Sequence, residues 1–166
     1  MEHFRPISGQ IYAGGVPTEK DLTYLTQVLG VKTILSLDDG SGKKIKPWLD
    51  QHKIKQLSYS INPAATHITD IIKNLQRNIV SLLTNNQPIY VHCLRGSDRT
   101  GLVLAMFRIL KDKIPCQQAI NEVKPFGYGQ GISPQTQTTW QTYLCALAKN
   151  TNVVADTAAI MDSDAA

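Results

Sequence analysis

The stretch "PIYVHCLRGSDRTGLVLAMFRILK" (88–111) constrains the fold more than any other part of the chain. It begins with "PIYVH", a short β-branched and aromatic run of the kind that fills the middle of a sheet. It ends with "TGLVLAMFRILK" (100–111), a helical segment that is apolar on nearly every face and so needs cover all round. A buried strand that hands over directly to a buried helix belongs in a layered α/β domain.

The rest of the chain keeps the same alternation. "QIYAGG" (10–15) reads as an edge strand, and Thr18 opens a helix carrying Leu22, Leu25, Val28 and Leu29 on one face, with Gly30 as its stop. "VKTILSL" (31–37) is a strand, "DDGSGKK" a polar loop, and a short helix near 45–53 leads to the strand "KQLSYSI" (55–61). Pro63 breaks that strand. From Thr69 onward Ile71, Ile72, Leu75, Ile79, Leu82 and Leu83 recur at helical period. Pro115 and Ser133–Pro134 start two further helices, the second bearing Trp140, Leu144 and Leu147. The expectation is an α/β fold, a mainly parallel sheet of about four to five strands with helices on both faces. Residues 1–149 make one domain, and 150–166 form a frayed or disordered tail with little to bury.

Composition narrows the function classes. A net charge of +4 is too mild for a dedicated nucleic-acid binder, yet it suits an anionic small substrate. No run reaches the length of a membrane span, and "MEHFRPISGQ" lacks a signal-peptide pattern, so the cytoplasm is the expected location. Cys93, Cys116 and Cys145 are odd in number and scattered, which argues against a disulfide framework and against zinc. Cys116 and Cys145 are expected to be inert core thiols. His92 and Cys93 are neighbours on a strand and face opposite ways, so no metal or other cofactor is expected.

In a parallel sheet of this kind, ligands bind beyond the carboxyl ends of the strands, where loops 38–46, 62–68 and 93–99 emerge. The last of these is built for an anion. Backbone N–H groups of Leu94, Arg95, Gly96, Ser97 and Asp98 can turn inward, and the following helix adds its positive end. Arg99 can offer its planar fork to two phosphate oxygens. The same positive field favours the thiolate of Cys93, a nucleophile beneath the bound phosphate. Thr100 can donate its hydroxyl to that sulfur and ease its departure. A plainer reading, with a buried cysteine, a capping Asp98 and two surface arginines, explains each residue singly but not their joint placement.

"HCLRGSDRTG" resembles the His-Cys-x5-Arg-Thr/Ser signature of protein tyrosine and dual-specificity phosphatases, matching at His92, Cys93, Gly96, Arg99, Thr100 and Gly101. The opening "FRPISGQIYAGGVPTEKDLTYLTQVLGVKTILSL" is similar to the start of the small atypical dual-specificity phosphatases, and the resemblance spans roughly residues 4–149 in element order. It implies a two-step mechanism. Cys93 attacks phosphorus to give a phosphocysteine while Arg99 and the loop amides stabilise the equatorial oxygens. A general acid then protonates the leaving oxygen, and water hydrolyses the intermediate.

The family usually supplies that acid from an aspartate on a separate loop, here "INPAATH" (61–67), which contains no carboxylate. Asp98 is the first candidate. A similar Asp-Arg-Thr ending occurs in myotubularin-type lipid phosphatases, and its alternative role is to orient Arg99 or cap the loop. Asp70 follows, although a first-turn aspartate usually serves the helix terminus. Asp38 and Asp39 read more naturally as turn formers, and His67 as a solvated loop residue. In relatives, a glutamine on a loop near 125–137 helps position water; Gln130, Gln135 and Gln137 are the candidates here.

The implied substrate is a phosphotyrosine or other phosphoprotein. Lys43, Lys44, Lys46 and Arg95 near the active edge would suit inositol polyphosphates or phosphoinositides as an alternative. A phosphate-binding module with little turnover is a further alternative, but binding alone has no use for a thiolate, so Cys93 with Arg99 favours an enzyme.

Overall fold

One five-stranded sheet organises the chain, with its strands in the order β1–β2–β5–β3–β4. The strands are β1 (Arg5–Ser8), β2 (Ile11–Gly14), β3 (Thr33–Ser36), β4 (Lys55–Ser58) and β5 (Ile89–His92). β1 runs antiparallel to β2, and every other pairing is parallel. This is a computed structural model, and it describes residues 1–63 and 68–156.

Alternation along the strands builds a core on each face of the sheet. On one face Ile34 and Tyr90 pack with Leu22 and Leu25 of α1 (Glu19–Gln27) and Ile45 and Leu49 of α2 (Asp39–Gln51). On the other, Leu35, Ile89 and Val91 meet α3 (Ile68–Asn85), α4 (Asp98–Asp112), α5 (Cys116–Val123) and α6 (Pro134–Asp156). α4 is the interior helix that its apolar sequence demands, buried continuously from Thr100 to Phe107. Among the described residues no helix is long and apolar enough to cross a membrane.

Four expectations need correcting. "QIYAGG" is not at the sheet's edge, because Arg5–Ser8 pairs outside it, Arg5 opposite Ala13. "DDGSGKK" is not a loop, because α2 begins within it. Asp38 caps that helix by accepting the Ser41 N–H at 2.9 Å, and Lys43–Asp39 and Lys46–Asp50 pairs brace its exposed side. The tail does not fray from residue 150, since α6 continues to Asp156; residues 157–166 lie outside the described residues. Finally, Cys116 and Cys145 are not free thiols. They form a disulfide between α5 and α6, whose packing brings the two Cα atoms to 5.0 Å across a sequence separation of 29.

Candidate active site

β5 ends at His92 and α4 starts at Asp98, so the segment between them sits at the carboxyl edge of the central strand. Cys93 is 4% exposed, and its sulfur accepts two hydrogen bonds: from Thr100 Oγ1 at 3.1 Å and from the Gly96 N–H at 3.3 Å. Two donors thus converge on that sulfur. It lies at the base of a pocket of about 300 Å³ lined by Leu94, Arg95, Ser97, Asp98, Arg99 and Gly131.

The loop is gripped from behind. The Leu94 carbonyl accepts the Val16 N–H at 3.0 Å. The Arg95 carbonyl lies 2.9 Å from His3 Nδ1, and the Gly96 carbonyl accepts Arg5 Nη1 at 2.8 Å. A trans peptide sends its N–H the opposite way to its C=O. Three successive carbonyls held outward therefore turn the N–H groups of Arg95, Gly96 and Ser97 inward, as the Gly96 bond to sulfur illustrates. Gly96 itself has φ +75, and a Cβ there would come within 2.2 Å of the Gly14 carbonyl carbon, so no side chain fits.

α4 begins at the edge of the same pocket. Its N-cap, Ser97, makes no side-chain bond to the helix; its hydroxyl lies 3.1 Å from His3 Nδ1 instead. The first-turn amides of α4 are thus left uncapped beside the pocket. Tyr128 is pressed against Gly101, where a Cβ would stand 2.8 Å from its ring.

Arg99 pairs through Nη1 with Asp38 Oδ1. Burial pushes the Asp38 carboxyl up, but the Ser41 amide and hydroxyl and the Arg99 guanidinium outweigh it and hold it below the usual carboxylate range. His92 is fully buried on the α1/α2 face. Its Nδ1 lies 3.1 Å from the Cys93 carbonyl and so carries the proton, while Nε2 accepts from Ser36 Oγ at 2.7 Å. Gln56 in turn donates to Ser36 Oγ and to the Gly42 carbonyl. Desolvation pulls His92 down to about 4, so it stays neutral and serves to orient the strand end.

Among the acid candidates that lie within the described residues, only Asp98 lines the pocket that holds Cys93. Both of its oxygens are engaged, Oδ1 by the Gly129 N–H at 2.7 Å and Oδ2 by the Gly131 N–H at 3.0 Å. Asp70 stands exposed on the first turn of α3, Asp39 pairs with Lys43, and His67 lies outside the described residues. Of the glutamines, Gln137 is packed against Gly129, whose Cβ position would be 3.0 Å from its amide nitrogen; Gln130 and Gln135 are exposed. Lys43 and Lys46 line a separate polar hollow of about 200 Å³ with Ser36, Asp38, Gln56 and Ser58. Sequence reasoning missed His3, Arg5 and the Asp38–Arg99 pair, all set by contacts across the fold. No local signal marks them, because Arg5 sits in a segment that becomes a strand only by pairing with β2.

A family model described as the tyrosine phosphatase family matches residues 1–159. The chain belongs to that family. Protein 197R of Invertebrate iridescent virus 6 is 32% identical over 113 residues, covering 66% of this chain and 42% of that protein. The dual specificity protein phosphatase TpbA of Pseudomonas aeruginosa is 28% identical over 125 residues, covering 74% and 54% respectively. The inositol diphosphatase SIW14 of Saccharomyces cerevisiae is 27% identical over 114 residues, 67% of this chain and 41% of the relative. The chain thus spans about half the length of the curated relatives it matches, or less. The crystal structure of the SIW14 core catalytic domain superposes with a TM-score of 0.69 at 24% identity, covering 91% of this chain and 93% of that one. The fold is therefore that of the tyrosine phosphatases.

Proposed function

We propose that this chain hydrolyses phosphate monoesters through a phosphocysteine at Cys93. The observation that carries the reading is the Cys93 sulfur, met by Thr100 Oγ1 and the Gly96 N–H at the base of a pocket lined by its own loop and Arg99. In the first step Sγ attacks phosphorus, an S–P bond forms and the P–O bond to the leaving group breaks. Inward N–H groups and Arg99 take up the charge on the equatorial oxygens. Asp98 supplies the proton to the leaving oxygen, which requires it to release part of its hold on Gly129 and Gly131. Water then attacks phosphorus, and the sulfur leaves as a thiolate stabilised by Thr100. No step requires a metal, so turnover survives a chelator.

The substrate class we favour is phosphotyrosine and other phosphoprotein esters, in line with the dual specificity protein phosphatase among the relatives. A second reading, an inositol polyphosphate or phosphoinositide, is favoured by the hollow that Lys43 and Lys46 line next to Asp38, and by the inositol diphosphatase among the relatives. Replacing Lys43, Lys44 and Lys46 with alanine separates the two: turnover of an inositol polyphosphate falls while that of a small aryl phosphate holds. If both hold, the second reading fails. The Cys116–Cys145 disulfide favours an oxidising compartment over the cytoplasm that the sequence leads one to expect.

The deciding experiment is a steady-state assay with a chromogenic aryl phosphate. Cys93→Ser abolishes turnover and keeps phosphate binding. A wild-type protein that binds phosphate and releases no product would instead be a binding module.

A further inference from the structure

Arg5 is 5% exposed, and among the described residues no carboxylate pairs with it. Its Nη1 donates to the His3 and Gly96 carbonyls, both at 2.8 Å, and its guanidinium carbon lies 4.4 Å from the centre of the Phe126 ring. Its Nη2 has no hydrogen-bond partner among the described residues. Burial pulls Arg5 down to about 10, which leaves it charged at neutral pH, and its electrostatic coupling to Cys93 acts to keep it so. A buried charge without a counter-ion is expensive. The carbonyl that Arg5 holds belongs to Gly96, whose N–H meets the Cys93 sulfur, so one residue of the loop links the guanidinium to the thiol group.

We propose that Arg5 is a positioning residue for the cysteine chemistry, a second cation lying behind the phosphate loop where Arg99 lies before it. It holds the Gly96 carbonyl outward, which turns the Ser97 N–H toward the pocket, and it supplies the standing counter-charge to the sulfur anion. The inference rests on the phosphocysteine reading of Cys93. It adds that this sulfur is kept anionic from outside the loop by the first strand of the domain.

The test reads the sulfur directly, as the rate of Cys93 alkylation by iodoacetamide at pH 6 without reductant, so that the disulfide keeps Cys116 and Cys145 silent. Arg5→Gln, which removes the charge and keeps a donor, slows alkylation about ten-fold, whereas Arg5→Lys stays within about two-fold of wild type. Circular dichroism reports whether each variant is folded. A folded Arg5→Gln that alkylates at the wild-type rate overturns the proposal. So does an Arg5→Lys slowed about ten-fold, since the role would then be one of shape rather than charge; this variant decides alone if Arg5→Gln does not fold. The readout needs no phosphate ester. A failure here with aryl phosphate turnover intact strikes Arg5 only, and a wild type without turnover strikes the proposed function.

Discussion

Arg99 donates from Nη1 to Asp38 Oδ1, tying the phosphate loop to the capped first turn of α2. One carboxylate therefore does two jobs. Its second oxygen holds the Ser41 N–H, and its first aims the guanidinium that, in the proposed function, binds phosphate. Asp38→Asn and Asp38→Ala separate these roles. Asparagine is a good cap, so Asp38→Asn costs little stability yet lowers kcat/KM by about ten-fold through a loosened Arg99. Asp38→Ala loses the cap as well and unfolds about 1 kcal/mol more easily. Urea titration and aryl phosphate kinetics on both variants check the split.

Asp98 is held by two backbone N–H groups of the segment before α6, so its substitution has both a chemical and a structural side. As the proposed proton donor, it should matter more for poor leaving groups than for good ones. Asp98→Asn should slow an alkyl phosphate about 100-fold and a nitrophenyl phosphate far less. An equal loss on both substrates would assign Asp98 to loop anchoring alone.

His92 makes stability depend on pH. Buried and neutral, it takes up a proton only near pH 4 in the folded chain, against an ordinary value of 6.5. Between those values the unfolded chain binds more protons. The contribution is complete above pH 6.5 and is lost as the pH falls toward 4, reaching about 3 kcal/mol. Urea midpoints measured across that window should fall with pH, and His92→Asn should flatten that part of the curve.

The disulfide closes a loop across a sequence separation of 29, which by chain entropy is worth about 3–4 kcal/mol. Reduction should lower the melting temperature by roughly 10 °C. Without reductant, iodoacetamide should label Cys93 alone; labelling at Cys116 or Cys145 would show that the bridge is absent.

Much of this was legible in the chain. The strand "PIYVH" and the all-round apolar helix after it announce a covered central layer, and the turn between them holds Cys93 and Arg99 only six positions apart. What could not be read depends on contacts between distant residues. "RPIS" is too short and too mixed to declare a strand, and only its pairing with β2 makes it one. The start of α2 looked like a loop because glycines and lysines have no apolar period. Its helix rests on a cap and two ion pairs. Cys116 and Cys145 meet only because α5 and α6 lie side by side, which their spacing does not encode.

Gly96 lies so close to Gly14 that the rear wall of the pocket is peptide against peptide. A wall of that kind offers nothing to swap: no rotamer can be enlarged, shrunk or recharged there without displacing the loop. Under the proposed function, discrimination between one phosphate ester and another falls to the mouth, where Leu94, 56% exposed, and Arg95 stand out in solvent. Altering those two side chains should change which esters are accepted while leaving the chemistry beneath them alone.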